Sequence, residues 1–171
     1  MPTKQEFELM LSDTQLEQMV PHLEYEIDEF RRSLKDLPGT RDKPEWNRTL
    51  ESVLLHFRVL RAFFFSEGTK PDSDVFASDY VPGWKPVCDP VFGRTKVAID
   101  KTVAHLTIER LRNASVQWRE LDAMNTAIER LILDFKNALP TARKKWFVDL
   151  DAGVVVVSLG QADNSTASFG R

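Results

Sequence analysis

Arg94, Lys101, His105 and Arg112 stand seven, four and seven residues apart in the middle of the chain. At about 100° per residue they fall within roughly 40° of one another on a helix, a basic stripe with one titratable ring in it. Guanidinium and ammonium groups in such a row hold phosphates, and an imidazole whose ordinary pKa lies near neutrality serves as general acid or base. The chemistry this allows is contact with an anionic partner such as RNA. The competing reading is a solvated face whose arginines pair with an acidic helix elsewhere in the chain.

The other polar groups point to structure rather than catalysis. His56 falls beside Ser52, Leu60 and Phe63 on an apolar flank, which suits a hydrogen-bonded core histidine. His22, Glu24, Glu26 and Glu29 lack the paired Glu-x-x-His pattern of di-iron bundles and read as a solvated acidic face. Arg58 and Arg61 read as partners of Glu51 or as stems covering core edges. Asp72, Asp74 and Asp79 lack the glycine and spacing of a calcium loop. A lone Cys88 excludes an internal disulfide and a cysteine-rich zinc site. No glycine-rich phosphate cradle or serine-nucleophile motif occurs, so no metal or cofactor is expected.

The elements that must position the stripe are helical. Thr49 to Gly68, TLESVLLHFRVLRAFFFSEG, is too apolar to have a wet side: Leu50, Val53, Leu54, Phe57, Leu60 and Phe64 form one face, while Leu55, Val59, Ala62 and Phe63 cover much of the other. It reads as the central helix of a bundle, with only a strip near Asn47, Glu51, Arg58 and Arg61 left to water. Before it, Ser12 and Gln15 form a capping-box pair, followed by Leu16, Val20, Leu23, Ile27, Phe30, Leu34 and Leu37 at alternating steps of four and three. Pro21 must kink that helix or start its main segment, and Leu37-Pro38-Gly39 ends it. Asp42 and Glu45 cap the second helix, Pro44 lies in its first turn, and Gly68 stops it; the short connection makes the two helices antiparallel neighbours.

From Thr69 to Phe92 five prolines and glycines break the periodicity, yet Val75, Phe76, Tyr80, Val81 and Trp84 predict a loop packed onto the bundle. The third helix is expected from about Arg94 to Arg112, and the fourth from about Ser115 to Ala138 with a seam of Leu121, Met124, Ile128, Leu131, Phe135 and Ala138. Pro140 closes the bundle, giving a helical domain over 1–140 and a C-terminal segment over 141–171. In that segment WFVDL (146–150) and VVVVSL (154–159), around Asp151-Ala152-Gly153, can form a hairpin over 146–159 ahead of a polar end. Alone it is marginal in water, so it must lie on the bundle, join another chain or stay disordered.

The chain has 171 residues, 42% apolar, and a net charge of −3, which suits one domain with a real core and excludes a wholesale nucleic-acid coat. The charge is uneven. Residues 1–36 carry nine acids and four bases, residues 92–119 six bases and two acids, so the first and third helices can attract each other. With no signal-like N-terminus and no apolar run of membrane length, a soluble cytoplasmic protein without membrane contact is expected.

The order of helices, the run LLHFRVLRAFF, the loop phrase DVFASDYVPGW and the phrase IDKTVAHLT (99–107) together resemble the HEPN superfamily, particularly its branches near abortive-infection proteins, over roughly residues 14–139. The resemblance implies an all-α, up-and-down four-helix bundle, commonly a homodimer. Many such domains are metal-independent ribonuclease toxins of defence or toxin-antitoxin systems. The family's active motif is an arginine, a polar residue and, a few residues on, a histidine. Here Asp100 matches the polar position and His105 the histidine, while the arginine position is Ile99. Isoleucine supplies no fixed charge where phosphate charge develops. The resemblance therefore implies a non-catalytic module that binds RNA or a cognate toxin or antitoxin protein, with Arg94, Lys101 and Arg112 as its contacts. A ribonuclease using His105 with Asp100, and a structural protein dimerising through the bundle or the hairpin, are the alternatives.

Overall fold

The computed structural model describes residues 11–40, 42–66, 74–99, 116–148, 150 and 166–167. The fold is all-α, and its long helices start where side-chain chemistry supplies caps. Helix α1 spans Asp13–Asp36. Ser12 Oγ accepts from the Gln15 amide at 3.3 Å, and Gln15 Oε1 accepts from the Ser12 amide at 2.9 Å, the reciprocal box the sequence predicts. The helix runs through Pro21 rather than starting there, and the proline ring sits on the exposed side. Every residue of the predicted seam, Leu16 through Leu37, is buried.

A 3-10 turn at Leu37–Gly39 leads to α2, Lys43–Phe65. Asp42 Oδ2 caps it by accepting from the Glu45 amide at 3.2 Å. The helix stops at Phe65, ahead of the expected Gly68, because Ser66 takes the left-handed conformation at φ 48° and its amide donates to Ala62 O at 3.1 Å. Ser33 meets Ser52 at 2.8 Å, the Phe30 and Phe57 rings lie 6.2 Å apart, and Glu26 meets His56. Ser33, toward the end of α1, thus lies against the earlier part of α2 and Glu26 against a later part, so the helices run antiparallel, as the short connection requires.

The segment from Asp74 to Trp84 is packed down. It holds a helical turn, α3, at Ala77–Tyr80, and a bend in which Gly83 adopts φ 77°. Phe76, Ala77, Tyr80 and Val81 are buried, and Trp84 Nε1 donates to Phe64 O at 2.8 Å. Helix α4, Pro90–Ile99, begins four residues before the expected Arg94; Asp89 Oδ1 accepts from the Val91 amide at 2.8 Å and supplies the cap. A two-residue strand β1, Val116–Gln117, precedes α5, Trp118–Ala138, and pairs antiparallel with β2, Thr166–Ala167. The α5 seam is buried from Leu121 to Phe135, but it closes on Leu139, and Ala138 faces out.

Helix α2 touches α1, α3, α4 and α5, which makes it central. It is nonetheless not covered all round. Leu55 is 46% and Val59 39% exposed, with Arg58 and Ala62 on the same wet side, whereas Arg61 is buried. Arg61 lies within about 40° of Leu50, Leu54 and Phe57 on the helical wheel, so the face that buries those residues takes Arg61 in as well.

The end of the bundle is closed by aromatic rings. Phe135 meets Phe63, Phe64, Tyr80, Trp84 and Phe147 with centroids between 5.5 and 6.0 Å, mostly edge to face. Beyond Pro140 a short helix α6, Thr141–Lys144, clasps this end. Arg143 donates to Asp79 O at 2.7 Å, to Tyr80 O at 2.8 Å and to Asp13 Oδ1 at 2.7 Å, tying α6 to α3 and to the start of α1. Of the residues expected to form a hairpin, Phe147 and Leu150 are buried on the bundle and Trp146 is half-buried. The valine run at 154–157 lies outside the described residues.

Candidate functional site

Helix α4 carries the first part of the basic stripe. Val91, Phe92, Thr95 and Ile99 form its buried side, and Thr95 Oγ1 donates to Val91 O at 2.6 Å, so even the polar member of that face is satisfied inside the helix. Gly93 and Arg94 lie on the exposed side. Arg94 and Ile99 are five residues apart, about 140° around the helix, which is why one is in water and the other at 0% exposure in the core. Arg94 makes no ion pair with a described residue of α1. Asp100, Lys101, His105 and Arg112 lie outside the described residues.

The buried ion pair of the first helix has the opposite sense, with α1 supplying the base and α5 the acid. Arg31 forms a two-pronged bond to Glu129 on α5, Nε to Oε1 and Nη2 to Oε2, both at 2.7 Å, with the arginine buried. That hydrogen bond, opposed by desolvation and aided by the charges of Glu129 and Asp28, raises the Arg31 pKa and keeps the guanidinium charged.

His56 is a hydrogen-bonded core residue, as its flank predicts. Its Nδ1 lies 2.7 Å from Glu26 Oε2, so Nδ1–H donates and the carboxylate accepts, and the Tyr25 ring stands edge-on to the imidazole at 6.0 Å. Tyr80 is held in the same way: its hydroxyl donates to Leu16 O at 2.9 Å. Burial pushes its pKa up to about 12, with the Asp79 carboxylate adding to the shift and Arg143 opposing it.

The structure also holds a concave feature that the sequence does not predict. Helices α1 and α2 and the segment from Asp74 to Tyr80 enclose a groove of about 450 Å³. Leu23, Leu60, Phe63 and Phe76 form its apolar floor, and His22, Glu26, Arg58 and Asp74 stand around it. The signal for it lay in α2, whose apolar surplus at Leu55, Val59 and Ala62 was read as burial but is surface. Among the described residues no group of three His, Cys, Asp or Glu side chains is placed to hold a metal ion, and no helix is long and apolar enough to cross a membrane.

Comparison with protein-family models, with curated proteins and with solved structures found no match to this chain in any of the three.

Proposed function

We propose that this chain is a non-catalytic RNA-binding module, similar to HEPN domains and belonging to a defence or toxin-antitoxin system. In this reading its RNA face carries Arg94, Lys101, His105 and Arg112, its third helix continues through Arg112 to complete an up-and-down four-helix bundle, and two copies pair. The observation that supports the reading is the burial of Ile99 opposite an exposed Arg94 on α4. The motif position that would place a guanidinium against a scissile phosphate points into apolar core, where an unpaired charge is costly. It cannot supply the fixed charge that phosphoryl chemistry needs. Arg94, on the outer side, is suited to hold a phosphate by charge alone.

The test is incubation of the purified chain with a mixed RNA pool in EDTA, with His105→Ala in parallel, followed by a binding titration of Lys101→Glu/Arg112→Glu. The expected result is no cleavage by either protein, and RNA binding that the double reversal abolishes or, at low salt, leaves with a log–log salt slope smaller by about 1.4, at ~0.7 per phosphate contact on a single strand. Cleavage that disappears in His105→Ala makes the chain a ribonuclease. RNA binding untouched by the double reversal removes the face assignment.

A further inference from the structure

We infer that the groove between α1 and α2 is the seat of residues 1–10 of this same chain, which fold back along α1 with the Phe7 ring as their anchor. Residues 1–10 lie outside the described residues, which leave the apolar surface of the groove open. Leu55 and Val59 line it, 46% and 39% exposed, over a floor that includes Leu23, Leu60 and Phe63. Apolar exposure clustered in this way marks a contact surface, whereas scattered apolar residues do not. None of the lining residues belongs to α4, which carries the proposed RNA face, so the two surfaces are tested apart.

The start of α1 is held at one end of the groove. That end is marked by Met19, Phe63 and Tyr80: the Phe63 and Tyr80 rings lie 6.0 Å apart, and the Tyr80 hydroxyl donates to Leu16 O, one turn before Met19. The other end is marked by Glu26 and Leu55. Arg143 ties Asp13 to the Tyr80 carbonyl and so fixes the first turn of α1 beside the Tyr80 end. Leu11 and Leu16 occupy the N′ and N4 positions of α1, the pair of positions that staples an entering chain, and Leu11 packs on the core to which Leu16 belongs. At about 100° per residue Leu16, Met19, Leu23 and Glu26 fall within roughly 80° of one another. The staple therefore brings the chain in on the side of α1 that faces the groove.

Residues 1–10 have the pattern and the length to continue from there. In EFELML, Phe7 and Leu9 alternate with Glu6, Glu8 and Met10 and are in step with Leu11. An extended segment puts Phe7 and Leu9 on the side where Leu11 meets the core and turns the glutamates away; a helical one keeps Phe7 on that side too, four residues from Leu11. Along the axis of α1, Met19 stands ~12 Å and Glu26 ~22 Å beyond Leu11, at ~1.5 Å per residue. An extended chain spans ~13 Å from Leu11 back to Phe7 and ~33 Å over ten residues, so Phe7 reaches the Tyr80 end and the residues before it reach the rest. A segment tethered this closely acts at an effective concentration of about millimolar, an advantage that a separate partner or a second copy lacks.

The test places two cysteines in the full chain with Cys88→Ser: Glu8→Cys and Met19→Cys, joined by a short bis-maleimide at low protein concentration, with the intramolecular product counted by mass spectrometry. Circular dichroism checks the fold of each variant. Phe7→Asp should slow the cross-link at least tenfold, whereas tethering alone would join the pair whatever residue stands at 7. Anilinonaphthalene sulfonate, a dye that brightens on apolar surface, should bind the wild-type chain weakly, brighten at least threefold in Phe7→Asp, and dim again when Val59→Asp is added. A cross-link indifferent to Phe7→Asp overturns the proposal, as does dye fluorescence that Phe7→Asp fails to raise or that Val59→Asp fails to lower. So does a concentration-dependent dimer, seen by light scattering, that Val59→Asp dissolves, since the occupant is then a second copy.

Discussion

Glu129→Ala removes both acceptors of the Arg31 guanidinium and leaves its charge in place. Arg31 is 9% and Glu129 16% exposed at the side chain, so little water is available to replace the carboxylate. Two charge-assisted bonds at 2.7 Å disappear together. Breaking one side of a buried pair costs about 3 to 5 kcal/mol, and the residual exposure of both groups places this pair at the low end, about 3 kcal/mol. For a chain of this size each kcal/mol moves the melting temperature by about 2 to 4 °C, so Glu129→Ala should melt about 6 to 12 °C lower. Arg31→Met/Glu129→Leu removes both charges and keeps the apolar bulk between α1 and α5; it should return to within about 1 to 2 kcal/mol of wild type. Thermal and urea denaturation followed by circular dichroism measure both. A loss below about 1 kcal/mol in Glu129→Ala, or a double variant no better than the single, would refute the view that an uncompensated buried guanidinium dominates the cost.

Tyr80 makes stability depend on alkaline pH. Its folded pKa of about 12 lies above the ordinary 10, so the folded state holds the phenolic proton more tightly; the stabilisation is complete below pH 10 and is lost as pH rises from 10 toward 12, by up to about 2 to 3 kcal/mol. Denaturation of wild type and Tyr80→Phe across that range should show the decline shrinking in the variant, and parallel declines would remove Tyr80 as its source. Ser66 holds φ 48° without being glycine, so Ser66→Gly should raise stability by about 0.5 to 1 kcal/mol; a lower melting temperature would mean that the serine side chain contributes more than its backbone conformation costs.

The wheel position of Arg61 could be read from the sequence but was outweighed by its charge. Charge predicts water for Arg61, and apolar side chains predict the interior for Leu55 and Val59, whereas packing puts Arg61 inside and leaves Leu55 and Val59 out. The groove followed from that exchange and was therefore missed. On α4, Arg94 is exposed and Ile99 is core, while Lys101, His105 and Arg112 lie outside the described residues.

Local chemistry by itself determined the helices. The four-three spacing from Leu16 to Leu37, the Ser12–Gln15 box and the Asp42 cap act between residues at most four apart, so they are written in consecutive letters. The tertiary structure alone decided which groups meet. Tyr80 reaches Leu16 across 64 residues, Arg31 reaches Glu129 across 98, and Arg143 reaches Asp13 across 130. No periodicity encodes such pairs, because they depend on how one helix is rotated and slid against another, and that is set by the fit of side chains such as Phe57, Phe92 and Phe135 in the shared core.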